Sequence, residues 1–534
     1  HREPYYAMLL VHLCKSALHP LPLHLEKATT ALIAAAPRGD PEAVDRFSRW
    51  ASWQLSNFGF ELRQFGPPWG ALVRGAAEMR DGGVTSAHVC GALNGMLVRC
   101  LRLSYHEKIA EAVTLSAGNA SKHAATGDAT AGAALHACMP PKPLPVLAYS
   151  TQAPGAQEPA GPGLASPAEL SSQLAARVKQ KERPQETVAW LQSEAVPAQV
   201  RVALCVHTCL HLGSKSITHL NNVLNRFQEV LGALLVDSPA RAAATRAVLA
   251  FWCNSSQHAC LALAQLLDRH LVDGAGVLMG LFEEGHAGQA SAPGTWELVE
   301  MVLHRAGRRA ANARRALAAA RARAHEDARR RARAAGEPPP PADAAHTPEA
   351  ARHIAAAQAD AEAAARDQKA LLLLLLQRTS ALLADAAAGV GLPPPGVPSP
   401  ADPAAAVGGP GSPWWRAVVA RLAQTCRACA GELAPFIPAL DSLLFAAHAA
   451  QHEDVVRVWA AVKAVCDHRD EVGEADAQLP AAPTQATAGD MMAPSHADAD
   501  AARFAGAADD IATTTTTAAG GTAAAAGRAM DTDE

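Results

Sequence analysis

Residues 197–235 read PAQVRVALCVHTCLHLGSKSITHLNNVLNRFQEVLGALL, and their apolar spacing places one helix at 197–212 and a second at 215–235 across a short turn. Two helices packed back to back in roughly 40 residues are the building unit of a HEAT-like solenoid. The same spacing continues on both sides. Helices are expected at 167–180 and 184–193 before this pair, then at 238–252, 256–270, 272–284 and from 294 onward. The expectation rests on helix length and turn spacing, since the segments share little sequence with one another.

Nearer the start, amphipathic segments cover 5–19, 22–36 and 41–56, the last with Phe47, Trp50 and Leu55 on one stripe. A fourth covers 86–113, with Leu93, Leu97, Leu101 and Tyr105 at spacings of four. Pro20, Pro22, Pro37 with Gly39, and a Gly66-Pro67-Pro68 corner punctuate these helices. Composition agrees with helix: 124 of the 534 residues are Ala, aromatics make up 4%, and period-two runs are scarce. The fold class expected is therefore all-α.

From Trp296 to about Arg333 the helical pattern meets no breaker except Gly307, and four prolines follow at 338–341. A second long helix starts at Thr347-Pro348-Glu349, where Thr suits the N-cap and Pro the first turn, and runs to about Ala388. Together they predict a long antiparallel hairpin over 297–388, with Ala filling most inward positions until Ala370–Leu376. Trp414-Trp415, Leu422, Phe436, Leu443-Leu444-Phe445 and Trp459 provide two or three further helices. The expected organisation is a helical-repeat domain at 1–113, truncated at its start, a low-complexity linker at 114–166, and a second such domain at 167–468. Inside the latter lie the hairpin and a Pro/Gly insert at 389–412. A tail at 469–534, with its Thr513–Thr517 run, is expected to be disordered.

Net charge is −4 over the whole chain, but residues 305–333 hold eleven Arg against Glu326 and Asp327, a local +9 that leaves −13 elsewhere. Arg308, Arg309, Arg314, Arg315, Arg329, Arg330 and Arg331 are thus candidate contacts for RNA phosphates or a nuclear-import receptor; the alternative is a solvated helix whose Arg stems cover an Ala seam. The block has no interleaved aromatics, so base-specific reading is not expected. No phosphate-binding glycine loop or dinucleotide fingerprint is present.

Cys205-Val-His207-Thr-Cys209-Leu-His211 has the residue types of a zinc site. On a helix, however, the two thiols and the two imidazoles point to different faces, so no metal is expected. Cys426 and Cys429 have redox spacing but lie in a helical stretch, which favours core thiols. Eleven cysteines scattered through apolar segments read as reduced thiols. No catalytic residue and no cofactor is expected, and with no run of 18 uncharged apolar residues no membrane span is expected either.

Several blocks, in order, resemble the large subunit of the nuclear cap-binding complex. They are Asp45-Arg-Phe-Ser-Arg-Trp-Ala-Ser-Trp-Gln-Leu-Ser-Asn-Phe-Gly-Phe60, Arg99-Cys-Leu-Arg-Leu-Ser-Tyr-His-Glu-Lys-Ile109 and Leu210-His-Leu-Gly-Ser-Lys-Ser-Ile-Thr-His219. Leu271-Val-Asp-Gly-Ala275 with Phe282, Trp296-Glu-Leu298, Asp367-Gln-Lys-Ala-Leu371 with Leu376-Gln-Arg378, Ser412-Pro-Trp-Trp-Arg416 and Asp441-Ser-Leu-Leu-Phe445 continue the match.

The resemblance implies the second and third helical-repeat domains of that family, of the fold shared with the middle domain of the translation-initiation scaffold. The family's first domain and import signal are expected to be missing from this chain. It further implies a non-enzymatic nuclear protein, shuttling to the cytoplasm, that forms a heterodimer with a small RNA-recognition-motif subunit. Through that subunit it would bind 7-methylguanosine-capped RNA, and it would dock adaptors of mRNA processing, splicing, export and nonsense-mediated decay. Lys15, Tyr105 and Asp385 match the family's docking surface for such adaptors. Two alternatives stay open: a direct RNA-binding protein acting through the Arg hairpin, and a cytoplasmic translation-initiation scaffold.

Overall fold

A computed structural model of the chain describes residues 3–16, 21–36, 39–62, 65–78, 86–120, 128–150, 165–283, 287–336, 338, 347–389, 408–442, 453–454 and 456–464. The tail at 469–534, residues 390–407 of the Pro/Gly insert, and Leu443-Leu444-Phe445 lie outside the described residues. The helices in chain order are α1 (Glu3–Lys15), α2 (Leu21–Ala35), α3 (Pro41–Ser56), α4 (Gly66–Glu78), α5 (Ser86–Leu103), α6 (His106–Ala120), α7 (Asp128–Ala137), α8 (Pro167–Lys179), α9 (Pro184–Gln192) and α10 (Arg201–Gly213). They continue with α11 (Ile217–Leu234), α12 (Ser238–Phe251), α13 (Ser256–Asp268), α14 (Gly274–Leu281), α15 (Pro293–Ala335), α16 (Pro348–Ala387), α17 (Pro413–Ala428), α18 (Ala430–Leu433) and α19 (Ile437–Leu440). Among the described residues there is no β-strand, and the all-α reading holds.

The described residues fall into two compact units, one drawn from 1–146 and 235–472 and the other from 147–234. In the second unit α8 starts from a capping box: the Ser166 hydroxyl accepts from the Glu169 N–H while the Glu169 carboxylate accepts from the Ser166 N–H at 2.9 Å. The unit's core is made by α8, α10 and α11, with Leu170, Leu174, Leu204, Leu224 and Phe227 all buried. Gly213 ends α10 where a Cβ would sit 2.7 Å from the Leu220 Cα, so the turn into α11 closes only around glycine.

In the first unit, α3 begins at the Asp40 N-cap with Pro41 in its first turn, and buries Ala51 and Leu55 against α5. Trp69, Leu93, Met96, Leu97, Ile109 and Leu135 complete that core. Gly66-Pro67-Pro68, expected as a corner, instead opens α4. Proline costs nothing in a first turn, where its missing N–H has no acceptor to lose. The segment expected as one helix over 86–113 breaks at Ser104 and Tyr105 into α5 and α6, a break through which the apolar period runs unchanged. Within 114–166, α7 buries Leu135 and Cys138. The extended segment after it is held by bonds from the Val146 N–H to the Phe251 carbonyl (2.8 Å) and from Asn254 to the Leu144 carbonyl (3.2 Å).

Further along the same unit α12 and α14 lie so close that a Cβ at Gly280 would sit 2.8 Å from the Ala242 carbonyl oxygen. α15 and α16 form the expected hairpin. Thr347 caps α16 by accepting from the Ala350 N–H, and Gly336 ends α15 in the left-handed conformation at φ 72°. Ala310, Ala313, Leu317, Ala320 and Ala324 recur at alternating spacings of three and four, a coiled-coil period, and Ala361 and Ala364 face the first of them. Methyl groups in place of isobutyl groups bring the two backbones close. α16 is long and apolar enough to cross a membrane by length and composition. In this fold, though, its Leu372, Leu375, Leu376 and Leu383 are buried on a helix packed against α14 and α15, as in a core helix.

Candidate interaction surfaces

Lys15 is the last residue of α1, exposed, with its ammonium 5.8 Å from the centroid of the Phe58 ring. Tyr105 sits in the break between α5 and α6 and is 61% exposed, because leaving the helix takes it off the apolar stripe on which the sequence placed it. Asp385 is exposed near the end of α16. No hydrogen bond or ion pair joins the three side chains, and their elements have different neighbours: α1 packs on α2 and α3, α16 on α14 and α15.

The seven candidate arginines of α15, namely Arg308, Arg309, Arg314, Arg315, Arg329, Arg330 and Arg331, are all exposed. They are not equally available. Arg309 pairs with Asp367 at 2.8 Å and Arg330 with Glu326 at 3.8 Å, while Arg305 of the same block pairs with Asp268. Arg308, one residue before Arg309 at the inner end of the block, is likewise engaged within the fold. An incoming phosphate would have to displace these interactions at Arg308, Arg309 and Arg330: Arg309 is paired across the hairpin, whereas Arg330 meets only Glu326, one turn away on its own helix. Among the described residues, Arg315 reaches only the Asn312 amide oxygen, Arg321 only Gln358, and Arg331 only the Asp327 carbonyl, all neutral groups.

Of the cysteines and histidines read at 205–211, Cys205, Cys209 and His207 are buried in α10, the His207 ring lies edge-on to Tyr149 at 5.1 Å, and His211 is exposed. Cys426 is buried in the last turns of α17. Cys429 ends that helix as a half-buried thiol that burial pushes up to about 12.

Sequence reasoning missed a half-buried charge cluster that joins α3, α5, α15 and α17. Arg421 grips Asp45 with both guanidinium nitrogens, the longer contact being 3.2 Å, and Arg99 approaches the same carboxylate at 3.5 Å. These three side chains retain only 11–17% of their exposure. One turn further along α5, Arg102 donates to Glu297 at 2.7 Å and to the Ser256 hydroxyl at 3.0 Å.

Burial lowers the Arg99 guanidinium from its usual value, with Asp45 and Glu297 opposing the shift; for Arg102 burial acts the same way, but Glu297 overrides it and the group is raised. Beside Asp45 and Arg421 is a cleft of about 140 Å³ bordered by Ser48, Gly91, Gly95 and Arg99. A signal for this cluster did exist in the sequence. Asp45, Arg99, Arg102 and Glu297 are charged residues inside three of the blocks that carry the family resemblance, and in the fold they meet.

Residues 165–429 match the family described as MIF4G like. The match covers just under half of the chain. Among curated proteins, the chain is similar to nuclear cap-binding protein subunit 1 of Arabidopsis thaliana, 26% identical over 317 residues, covering 58% of this chain and 33% of the relative. The corresponding proteins of Oryza sativa subsp. japonica (26% over 293 residues, 54% and 30%) and Aedes aegypti (22% over 311 residues, 56% and 34%) are similar over comparable shares. The chain thus spans about a third of the length of these relatives. The resemblance read from the sequence blocks holds, and the helical-repeat fold it implied is the fold observed.

Proposed function

We propose that this chain is the scaffold subunit of a nuclear cap-binding complex, with no catalysis of its own. The observation that carries the reading is its similarity to nuclear cap-binding protein subunit 1 from three organisms, together with the meeting of the matched blocks in one charge cluster. Residues 1–113 and 167–468 correspond in this reading to the second and third helical-repeat domains.

The scaffold holds a small RNA-recognition-motif subunit and orders its loops before RNA arrives. Less conformational entropy is then lost on binding, and cap affinity rises without direct contact from the scaffold. The methylated guanine is cationic and suits aromatic faces on the small subunit. The complex works in the nucleus and shuttles to the cytoplasm. Short peptides of processing, splicing, export and decay factors dock on it, with Lys15, Tyr105 and Asp385 as separate exposed contacts.

Fluorescence anisotropy of capped and uncapped RNA, with this chain alone and with the chain plus the small cap-binding subunit of its organism, tests the reading. Cap-dependent binding in the mixture alone is the expected result. A small subunit that binds capped RNA equally well with and without this chain refutes the scaffold role.

A further inference from the structure

We propose that the outer half of α15 is an RNA-backbone arm, gripping phosphates without regard to sequence. Its starting point is what the fold leaves unneutralised. Arg305, Arg309 and Arg330 have carboxylate partners and Arg308 is engaged beside them, whereas among the described residues Arg314, Arg315, Arg321, Arg323, Arg329, Arg331 and Arg333 have no carboxylate partner. All seven are exposed, and they lie on the stretch 314–333, which at 1.5 Å per residue extends about 29 Å. The neighbouring helix does not compensate: from Pro348 to Ala387 it carries five acidic and four basic residues, one of its acids being the partner of Arg309.

Chemistry of the surface selects the occupant. A protein partner would need aromatic or aliphatic anchors at the centre of its footprint. Between 305 and 333 the only large apolar side chain is Leu317, and it is packed into the α15–α16 seam. What remains outside is mostly guanidinium on an Ala-rich helix, seven arginines without a carboxylate partner against exposed Glu326 and Asp327, with planar donors that fit phosphate oxygens two at a time. Without aromatics there is nothing for bases to stack on, so the arm reads charge spacing and not sequence. The alanine seam supports this use: it builds a closely paired rod that carries its arginines with little side-chain packing at stake. The choice of RNA over DNA rests on the cap-binding proposal; phosphate gripping does not.

The test is binding of an uncapped RNA 20-mer and a DNA single strand of the same sequence to the full chain between 50 and 200 mM salt. The wild type is compared with the variant Arg314→Gln, Arg323→Gln, Arg329→Gln, Arg333→Gln. Four lost phosphate contacts should flatten the slope of log K against log salt by about 3, so the wild type should lose roughly fifty-fold more affinity than the variant across that range. The variant should keep the wild-type helical signal and thermal transition, because none of the four arginines makes a side-chain hydrogen bond or ion pair among the described residues.

A control variant, Arg305→Gln with Arg309→Gln, removes arginines already paired and should leave the salt slope within half a unit. Equal slopes for wild type and the four-site variant overturn the proposal, and so does a larger change from the control than from the four-site variant. Tighter binding of the DNA strand than of RNA overturns the choice of ligand. Arginine-dependent binding of uncapped RNA that persists when no cap-dependent binding appears with the small subunit would retain the arm and discard the scaffold reading.

Discussion

Replacing Asp45 by Ala should test the charge cluster that ties α3 to α5 and α17. Asp45 is the carboxylate that Arg99 and Arg421 both contact directly, and removing it strands two guanidinium groups with little water around them, leaving Glu297 to act on Arg99 and Glu300 on Arg421 from further off. Breaking a buried pair in this way costs about 3–5 kcal/mol. The residual exposure of 11–17% on these side chains argues for the lower end, roughly 3 kcal/mol. In a unit of this size that corresponds to a fall in melting temperature of roughly 6–9 °C at 2–3 °C per kcal/mol.

The assay is thermal unfolding by circular dichroism, with urea titration as a second measure. Pairing Asp45→Ala with Arg421→Met forms a double-mutant cycle. Since the Ala variant strands Arg421, removing that arginine as well should recover part of the loss, giving a coupling of at least about 1 kcal/mol. A fall below 1 °C for Asp45→Ala, or strict additivity in the cycle, would refute the argument that these charges are desolvated and mutually dependent.

Gly280→Val should destabilise by about 1–3 kcal/mol, because its side chain would press into the Ala242 carbonyl and the Thr245 side chain at the α12–α14 contact; a urea midpoint measures it. Asp40 both caps α3 and supplies the carboxylate that pairs with Arg427; burial raises its pKa, but the Arg427 hydrogen bond and the backbone N–H groups lower it overall. A carboxylate depressed in the folded state stabilises above its unfolded value near 4 and loses that contribution as pH falls through the folded one. Asp40→Ala should therefore cost about 1 kcal/mol at pH 7 and less at pH 2–3, read from urea midpoints at the two pH values. Burial pushes Cys100 and Cys260 up to about 12, so at pH 8 an alkylating reagent should label the exposed Cys253 well before either, as followed by peptide mass spectrometry.

The hairpin was legible almost to the residue, from Thr347 as a cap, Pro348 as a first-turn residue and the four prolines at 338–341 beyond the end of α15, because caps and breakers act within a few residues of sequence. The repeat helices α8 to α14 were legible for the same reason: their apolar faces follow the helical period. Two local readings failed where one signal has two meanings. Gly66-Pro67-Pro68 can bend a chain or start a helix, and the apolar period through Tyr105 is the same for one helix and for two in sequence. The docking residues Lys15, Tyr105 and Asp385 came from the resemblance to a family and not from any property of their neighbours.

Sequence alone determined the helical class, most helix boundaries, the alanine seam and the concentration of arginine on α15, since each depends on composition or on residues a few positions apart. Tertiary structure alone decided which charges find partners. Asp45 and Arg421 are separated by 376 positions, and nothing in either segment foretells the other. The same folding step paired Arg305 and Arg309 with Asp268 and Asp367 and engaged Arg308 between them, while leaving most of the arginines beyond open to solvent. Charge pairing depends on distance in space and on the removal of water, and neither quantity exists until the helices have packed.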